Sequence, residues 1–548
     1  MEIALYLHRN LPLPPINNPV FLQIEMEILV RFVGALEILL CWLTAPIYFL
    51  LHLRRNRPVP PISNPILLES ATELARKIRT EEYSSEQVVR AFILRCREVN
   101  PILNAVVEDR YVKALSEAHT VDQMIYNKEK TVEEMERDTP FLGVPFTVKE
   151  SIGVKGMSQS VGCLPRLGVK ASCDGDSVAN MRRAGAIPIA VTNTPELCLC
   201  WESTNLITGR TNNPYDLNRT PGGSSGGEAA LVSSGASVLG VASDIAGSIR
   251  LPAAFTGVFG HKPTPGYISL NGHYPTSNDE NFSKFLVVGP MVRYVQDLKP
   301  LFKIMAGEKA AILNLDEEIN MKKLRVMYMT DLGESMVMIP TDEEIRAAVK
   351  NSADHLKTKF GCQTEMPYIE ELSDTVEISS SVFFSMDGIP DLMEISSSDD
   401  PKMKKNIFIE MIKGIFGLSE FSLAGLIFTA IYKCNGFMLK SRQQKYIQMH
   451  KVLKKKLTDM LGDDGVFILP THPIPAYYHG QFTMKTAGVG FTMIFNTLEM
   501  PATHVPMGLN KDGLPIGVQV VAGPHQDRLC LAVAQELGQK FGGWVPAP

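Results

Sequence analysis

The sequence predicts an α/β domain, in which helices cover a central sheet, preceded by a hydrophobic N-terminal segment. Between Gly143 and Asn193, the strand-like segments VPFTVK and IPIAVTN alternate with the helical segment SVANMRRAGA, which is the pattern of an α/β sheet. The chain has 548 residues, of which 45% are hydrophobic, so it can bury a large core. An apolar stretch close to the N-terminus is long enough to form a membrane anchor.

The N-terminal apolar stretch runs from Phe32 to Leu53 and reads FVGALEILLCWLTAPIYFLLHL. Its length matches the ~20 residues that a helix needs to cross a bilayer. Arginines and prolines follow directly, which is typical of an interfacial clamp and a stiff linker. Glu37 and Pro46 interrupt the stretch, so the alternative is an amphipathic helix that lies on the membrane surface or packs on the domain. The predicted organisation is an N-terminal tail at 1–31, a transmembrane anchor helix at 32–53, a basic and proline-rich linker at 54–61, and one catalytic domain at 62–548.

Two helices open the predicted catalytic domain. Capping-box motifs begin at Ser70 and Ser84, and the second precedes apolar residues at helical spacing. We expect this second helix to end by Asn100 and Pro101. Further along, VPFTVK alternates apolar and polar residues like a strand, which leaves Lys149 at or just beyond the strand's end. The end of a strand is a common place for a functional side chain.

Composition and cysteine spacing exclude two kinds of partner. The formal net charge of −5 provides no general attraction to nucleic acid, so DNA and RNA are excluded. The nine cysteines form no disulfide ladder, and Cys198 and Cys200 lack the C-x-x-C spacing of a zinc site. We therefore expect no metal site and mostly buried, free thiols.

A glycine-serine run, PGGSSGGEAA from Pro221 to Ala230, is the first element that carries chemistry. Its four glycines let backbone amides approach a ligand closely. The run also satisfies the G-x-S-x-G pattern of Ser-His-Asp esterases, with Ser225 as nucleophile and His504 or His525 as the best-placed histidines. The alternative is that the run forms a flexible loop or linker with no catalytic role. A nucleotide site is disfavoured because the G-x-x-x-x-G-K-[ST] motif is absent from the sequence.

A second glycine-serine element, SDIAGSIRLPA from Ser243 to Ala253, decides between these alternatives. Together with Lys149 upstream, the two elements resemble the amidase signature family, whose catalytic serines show the 24-residue separation found between Ser224 and Ser248. The resemblance continues through STNLITGRTNNPYDL, GHKPTPG and GLPIGVQVVAGP, and it covers nearly everything after the linker. It implies the amidase signature fold, an α/β fold in which helices cover both faces of a mixed central sheet.

The resemblance also implies a Ser-Ser-Lys site, with Ser248 as nucleophile, Ser224 as relay and Lys149 as base. A serine hydroxyl needs a base within hydrogen-bond reach, and a lysine can serve only if burial keeps it neutral. The other implied residues are Ile245, Ala246, Gly247 and Ser248, whose backbone amides form the oxyanion hole, and Cys198 and Leu199, which bind substrate. Ala246 stands where many members have glycine, a change that costs nothing if its φ is negative. The family uses no metal and no organic cofactor.

Within the family, the chain resembles the members that hydrolyse fatty-acid amides, particularly the second, membrane-anchored type. This implies hydrolysis of primary fatty-acid amides and N-acylethanolamines through an acyl-enzyme. A second apolar stretch within 407–439 is either a membrane-dipping cap at a lipid entrance or a pair of core helices. Basic residues after the anchor favour an intracellular membrane with the catalytic domain in the cytoplasm. A homodimer is left open.

Two other functions fit parts of the sequence. The glutamine-hydrolysing component of a tRNA-dependent amidotransferase shares the signature motifs but works in a soluble complex, which the anchor and the second apolar stretch disfavour. A catalytically silent homologue that binds lipid is the other alternative, and it is disfavoured because Lys149, Ser224 and Ser248 are all present.

Overall fold

The computed structural model describes residues 59–333, 339–389, 391–395, 405–434 and 440–547, together with seven helical positions between 39 and 50. The predicted tail at 1–31, most of the predicted anchor at 32–53 and most of the linker at 54–61 lie outside the described residues. In the part of the chain that is described, no helix is both long enough and apolar enough for a membrane span.

Eleven strands of the described chain form one mixed sheet, in the order β1-β3-β2-β6-β8-β7-β12-β13-β11-β9-β10, and β4 and β5 form a separate pair. Neighbours β3, β2 and β6 run parallel at one side, as do β11, β9 and β10 at the other, and the strands between them are antiparallel. The strands are β1 Val106–Asp109, β2 Pro145–Lys149, β3 Ile187–Thr192, β4 Thr204–Asn205, β5 Gly209–Arg210, β6 Leu239–Asp244, β7 Phe259–Lys262, β8 Val287–Val292, β9 Arg325–Tyr328, β10 Gln363–Glu365, β11 Gly465–Pro470, β12 Ala502–Leu509 and β13 Pro515–Ala522.

Helices flank this sheet throughout the described parts of the chain. They are α1 Ala71–Arg79, α2 Ser85–Leu103, α3 Tyr111–Tyr126, α4 Val132–Asp138, α5 Asp176–Arg183, α6 Gly226–Ser233, α7 Arg250–Thr256, α8 Glu280–Phe285, α9 Leu298–Ala306, α10 Glu343–Phe360, α11 Thr375–Phe383, α12 Ile407–Ile415, α13 Leu423–Lys433, α14 Lys440–Leu461, α15 Phe482–Lys485, α16 Gly490–Thr497 and α17 Asp527–Phe541.

Both faces of the sheet are buried, as β11 shows. Val466 and Ile468 enter one hydrophobic cluster, whereas Phe467 and Leu469 enter another. Because successive side chains of a strand point to opposite faces, each face carries its own core. The predicted α/β architecture, a mixed sheet covered by helices on both faces, is therefore confirmed.

Both predicted N-cap residues are confirmed, but only the second forms a complete capping box, and one predicted helix end is wrong. Ser70 accepts the N–H of Glu73, and Ser84 forms a complete capping box with Gln87. However, α2 continues past Pro101 to Leu103 and ends at Asn104, whose φ is +51°. A proline in the last turn removes one donor without ending the helix, and the left-handed asparagine supplies the actual end.

The second apolar stretch forms two helices, α12 and α13, that pack against each other. α13 buries Leu426 and Thr429, as expected of a core helix. α12 instead leaves Phe408 78% exposed and Ile412 60% exposed. The stretch thus combines a packed inner helix with an outer helix whose apolar side chains face solvent, and its last part, 435–439, lies outside the described residues.

Glu228 fastens α6 to the sheet. Its carboxyl group accepts hydrogen bonds from the hydroxyls of Thr147 on β2 and Thr192 on β3, the latter at 2.8 Å. On β6, a Cβ at position 240 would lie 2.7 Å from Glu228 Oε1, so only Gly240 allows this close approach. Complete burial raises the pKa of Glu228 to about 8, although the two threonines and Lys149 act in the opposite direction.

We expect Glu228→Gln to reduce the pH dependence of stability. Between about pH 4.3, where an unfolded glutamate titrates, and about pH 8, the folded protein keeps a proton on Glu228 that the unfolded chain releases. The free energy of unfolding therefore falls as pH rises through this window, by up to about 1.4 kcal/mol per pH unit from this group. Urea titrations at pH 5, 6, 7 and 8 measure the slope for both proteins, and parallel slopes would contradict a neutral Glu228.

Candidate active site

Lys149 is the last residue of β2 and is fully buried. Its Nζ lies within hydrogen-bond distance of two hydroxyl groups, 2.7 Å from Ser224 Oγ and 3.0 Å from Ser243 Oγ. Burial lowers the pKa of Lys149, and nearby Cys198 and Asp244 oppose this only in part. A neutral lysine has a lone pair, so it can take a proton from a hydroxyl group in contact with it.

Ser224 lies in the loop that leads into α6, and the peptide bond between Gly223 and Ser224 is cis. This loop packs so tightly that glycine positions 223 and 227 cannot accommodate a side chain. A Cβ at position 223 would lie 2.7 Å from the Cys200 carbonyl oxygen, and one at position 227 would collide with the backbone of Asn193. The glycines of the GGSSGG motif therefore allow the loop to carry Ser224 onto Lys149.

Ser248 lies in the turn between β6 and α7, which wraps around the carboxylate of Asp244. That carboxylate accepts the backbone N–H of Gly247 at 2.7 Å and of Ile249 at 3.1 Å. It also accepts the guanidinium of Arg250, whose Nε is 3.1 Å from Oδ2. Burial alone would raise the pKa of Asp244, but Arg250 brings it below its ordinary value, so the carboxylate stays charged.

The structure brings the three predicted catalytic residues to one place. Ser224, Ser243 and Ser248 line a cavity of about 30 Å³. The backbone N–H of Ser225 donates to the carbonyl oxygen of Ser248 at 3.3 Å, which joins the two serine loops. Lys149 is hydrogen-bonded to two of the serines that line this cavity, Ser224 and Ser243. These contacts connect the lysine with both glycine-serine elements.

The predicted oxyanion donors differ in their availability. The amide of Gly247 is already bonded to Asp244, whereas the amides of Ile245, Ala246 and Ser248 are not among those that this carboxylate accepts. The positive φ of the turn falls on Gly247, at 106°, and not on Ala246. The alanine therefore carries no left-handed strain.

Ser248 also lines a second cavity, of about 190 Å³. Cys198 and Leu199, predicted to bind substrate, line both cavities. The wall of the larger cavity is mainly apolar and aromatic, with contributions from Trp201, Phe383, Phe384, Phe428, Ile431 and Met493. Such a lining suits a hydrocarbon chain and offers few partners to a polar one.

The residues that a Ser-His-Asp esterase would use do not contact one another in the hydrogen bonds described. The hydroxyl of Ser225 is buried and donates to the carbonyl oxygen of Ser243 at 3.3 Å. His504 pairs with Thr471 through Nδ1 at 2.7 Å, and His525 pairs with Tyr267 at 2.8 Å. Both candidate histidines thus have partners other than Ser225.

Sequence reasoning missed two polar residues of the site, Ser243 and His273. Ser243 stands at the start of the second glycine-serine element, and this position in the motif could have indicated its place beside Ser248. His273 lies in a loop 30 residues further along the chain and hydrogen-bonds Ser243 Oγ through Nε2 at 3.1 Å. A lone histidine in a loop carries no pattern that would have marked it.

Among the described residues, no cluster of three or more histidine, cysteine or acidic side chains has the geometry to hold a metal ion.

Comparison with known proteins places this architecture in one family. The amidase family profile matches residues 87–531. The chain is 39% identical over 478 residues to fatty-acid amide hydrolase 2 of Homo sapiens, covering 87% of this chain and 90% of that protein. It is 40% identical over 480 residues to fatty-acid amide hydrolase 2-A of Danio rerio, covering 87% and 89%. A glutamyl-tRNA(Gln) amidotransferase component of Clostridium acetobutylicum is 27% identical over 490 residues, covering 83% of this chain and 95% of that protein.

Solved structures support the fold. A structure of fatty acid amide hydrolase superposes with a TM-score of 0.68 at 22% identity, covering 88% of this chain and 86% of that chain. The family match spans most of the catalytic domain, and Lys149 and the two glycine-serine elements meet in the site described above. The chain therefore belongs to the amidase signature family of amide-hydrolysing enzymes.

Proposed function

We propose that this protein is a membrane-associated serine amidase that hydrolyses fatty-acid amides, both primary amides and N-acylethanolamines. The observation that carries the proposal is the arrangement of three side chains. Buried Lys149 is hydrogen-bonded to Ser224, Ser224 and Ser248 line one small cavity, and Ser248 also lines an apolar cavity. The resemblance to human fatty-acid amide hydrolase 2 supports the same substrate class.

In the proposed acylation step, Ser248 Oγ attacks the amide carbonyl carbon. The proton of Ser248 passes to Ser224, and the proton of Ser224 passes to neutral Lys149, so that the nucleophile is activated as it attacks. The backbone amides of the turn that do not donate to Asp244, those of Ile245, Ala246 and Ser248, stabilise the negative oxygen of the tetrahedral intermediate. When the C–N bond breaks, Ser224 gives a proton to the leaving nitrogen and takes one back from Lys149. The amine is released and an acyl-enzyme remains on Ser248. Water, activated by the same base, then hydrolyses the ester.

The lining of the 190 Å³ cavity favours a substrate with a long acyl chain over a polar substrate. Aromatic side chains from three parts of the chain line it, and Trp201 and Phe428 meet edge to face with ring centroids 6.0 Å apart. Burying hydrocarbon there contributes about 0.8 kcal/mol per CH₂ group. A glutamine side chain would instead lose its hydrogen bonds to water, which disfavours the amidotransferase alternative.

The outer face of α12 supports membrane association. Large apolar side chains of this helix and of the following turn are more than half exposed, namely Phe408, Ile409, Ile412, Ile415, Phe416 and Leu418. Soluble surfaces rarely group so many, because their exposure to water is costly. We infer that this face dips into a lipid surface and acts together with the predicted anchor at 32–53, on an intracellular membrane with the catalytic domain in the cytoplasm.

We expect Ser248→Ala and Lys149→Ala each to lower kcat/KM for oleamide by about 10³-fold or more, because each removes a group that acts in the bond-breaking step. A fluorophosphonate probe should label the wild-type protein at Ser248, as peptide mapping would show, and should leave Ser248→Ala unlabelled. Ser225→Ala is the matched control from the same loops and should stay within about tenfold of wild type. Loss of labelling in Ser225→Ala alone would instead support the esterase alternative.

The activity should rise with pH, because only neutral Lys149 can take the proton. Cys198 is close enough to influence the pKa of Lys149, so Cys198→Asp places a negative charge next to it. That charge favours the protonated lysine and raises its pKa, and the rising limb of kcat/KM should move to higher pH by about one unit or more. Cys198→Asn has a similar shape without the charge and should not shift the limb. Equal pH profiles for the two variants would exclude Lys149 as the titrating base.

The lipid-facing role of α12 predicts a substrate-dependent defect. Phe408→Ser with Ile412→Ser removes two exposed apolar side chains, so the fold should keep its stability. KM for oleamide presented in phospholipid vesicles should rise about tenfold, while hydrolysis of a short, water-soluble amide should be unchanged. Val112→Ser on α3, where the side chain is 81% exposed, is the control for loss of a surface apolar group. A uniform loss on both substrates would contradict the membrane role.

A further inference from the structure

A chain of hydrogen bonds approaches Lys149 through Ser243 as well as through Ser224. Lys149 Nζ lies 3.0 Å from Ser243 Oγ, and the same Oγ lies 3.1 Å from His273 Nε2. The other ring nitrogen, His273 Nδ1, lies 3.0 Å from the carbonyl oxygen of Pro275. Lys149, Ser243 and His273 are all buried, so water does not compete for these links.

The direction of each hydrogen bond in this chain follows from its last link. A carbonyl oxygen can only accept, so the proton of the ring must be on Nδ1. Burial, assisted by the charge that Lys149 can carry, lowers the pKa of His273 to about 3, so the ring is neutral at working pH. In a neutral imidazole with the proton on Nδ1, Nε2 is an acceptor. The hydroxyl of Ser243 must therefore donate to Nε2, and its oxygen is left to accept from Lys149.

We propose that His273 is a positioning residue for the base: by accepting the Ser243 hydroxyl proton, it makes Ser243 an acceptor toward Lys149 and directs the lysine lone pair to Ser224. The inference rests on the proposed role of Lys149. A neutral lysine has two N–H bonds and one lone pair. When one N–H is committed to Ser243, the lone pair is free to accept the proton of the Ser224 hydroxyl.

Without the acceptor at His273, the hydroxyl of Ser243 can turn toward Lys149 and donate to its lone pair. Ser243 then competes with Ser224 for the only basic site, and the proton path from Ser248 is interrupted. The loss falls on the chemical step, since His273 acts through Ser243 and Lys149 rather than on substrate binding.

The backbone holds the His273 ring in place independently of substrate. The N–H of His273 donates to Leu270 at 3.0 Å, and the N–H of Tyr274 donates to the carbonyl oxygen of Ser151 at 2.8 Å. His273 also forms an isolated bridge with Ile152, three residues after Lys149. The loop that carries the histidine is thus fixed to the segment that carries the lysine.

The test compares His273→Leu, which has no acceptor, with His273→Gln, whose carboxamide oxygen can reach the position of Nε2. With oleamide and the full-length protein, we expect His273→Leu to lower kcat about 10- to 100-fold with KM within about twofold of wild type. His273→Gln should recover kcat to within about fivefold. Equal activity of His273→Leu and wild type would overturn the proposal, as would equal loss in the Leu and Gln variants.

A double-mutant cycle separates positioning from a merely structural role. Ser243→Ala removes the hydroxyl that His273 controls, so adding His273→Leu to Ser243→Ala should change kcat less than threefold. A structural defect would instead lower kcat by the same factor in both backgrounds.

If His273→Leu does not fold, His273→Asn provides the same comparison, because its shorter amide can bond Pro275 but cannot reach Ser243. Wild-type activity in Lys149→Ala would refute the proposed function itself, whereas an inactive Lys149→Ala beside a fully active His273→Leu refutes only the inference.

Discussion

A fully buried ion pair between Asp244 and Arg250 holds together the part of the molecule that presents Ser248, the proposed nucleophile. Removing both charges from water costs several kcal/mol per ion, so every remaining polar atom of the pair needs a partner. Asp244 finds some of these in the turn that carries Ser248, and Arg250 finds others in distant elements. Its guanidinium donates to Asn496 on α16 at 2.6 Å and to Gln519 on β13 at 3.1 Å. The geometry of the nucleophile turn is thereby tied to the centre of the sheet.

The same ion pair influences the electrostatics around Lys149. Asp244 is a carboxylate whose charge favours the protonated lysine, yet Arg250 already compensates that charge. Glu228, which acts in the same direction, is held neutral by its own burial, since this raises its pKa to about 8. Lys149 is therefore buried without an uncompensated negative charge beside it, and desolvation decides its protonation. These surroundings suit the proposed role of Lys149 as a base, because the two nearby carboxyl groups are either paired or protonated.

Sequence patterns predicted the parts of the site that are local in the chain. Alternation in VPFTVK placed Lys149 at the end of β2, and the two glycine-serine elements located Ser224 and Ser248. The contacts that support them join residues far apart in sequence: 252 residues separate Asp244 from Asn496. For the same reason, the alternating pattern indicated the parallel strands β2 and β3 but not the antiparallel centre of the sheet, whose strands pair across long intervals. His273 escaped prediction because its role depends on a hydrogen bond formed only after the loop has folded onto Ser243.

The apolar helix pair and the catalytic cavity are parts of one packed unit. Phe428 and Ile431 of α13 line the acyl cavity, and α12, with its exposed apolar face, packs on α13. The N-terminus of α13 is held by Glu196, which accepts the N–H of Ser422 at 2.9 Å and lies two residues before Cys198 on the cavity wall. Under the proposed function, a hydrocarbon chain that leaves a lipid surface at α12 would meet α13 next and then the residues beside Ser248. Leu426 of α13 packs in the cluster that includes Ile407 and Met411 of α12, whereas Phe428 and Ile431 of the same helix line the cavity. One helix therefore supports the outer apolar face with one set of side chains and forms the cavity wall with another.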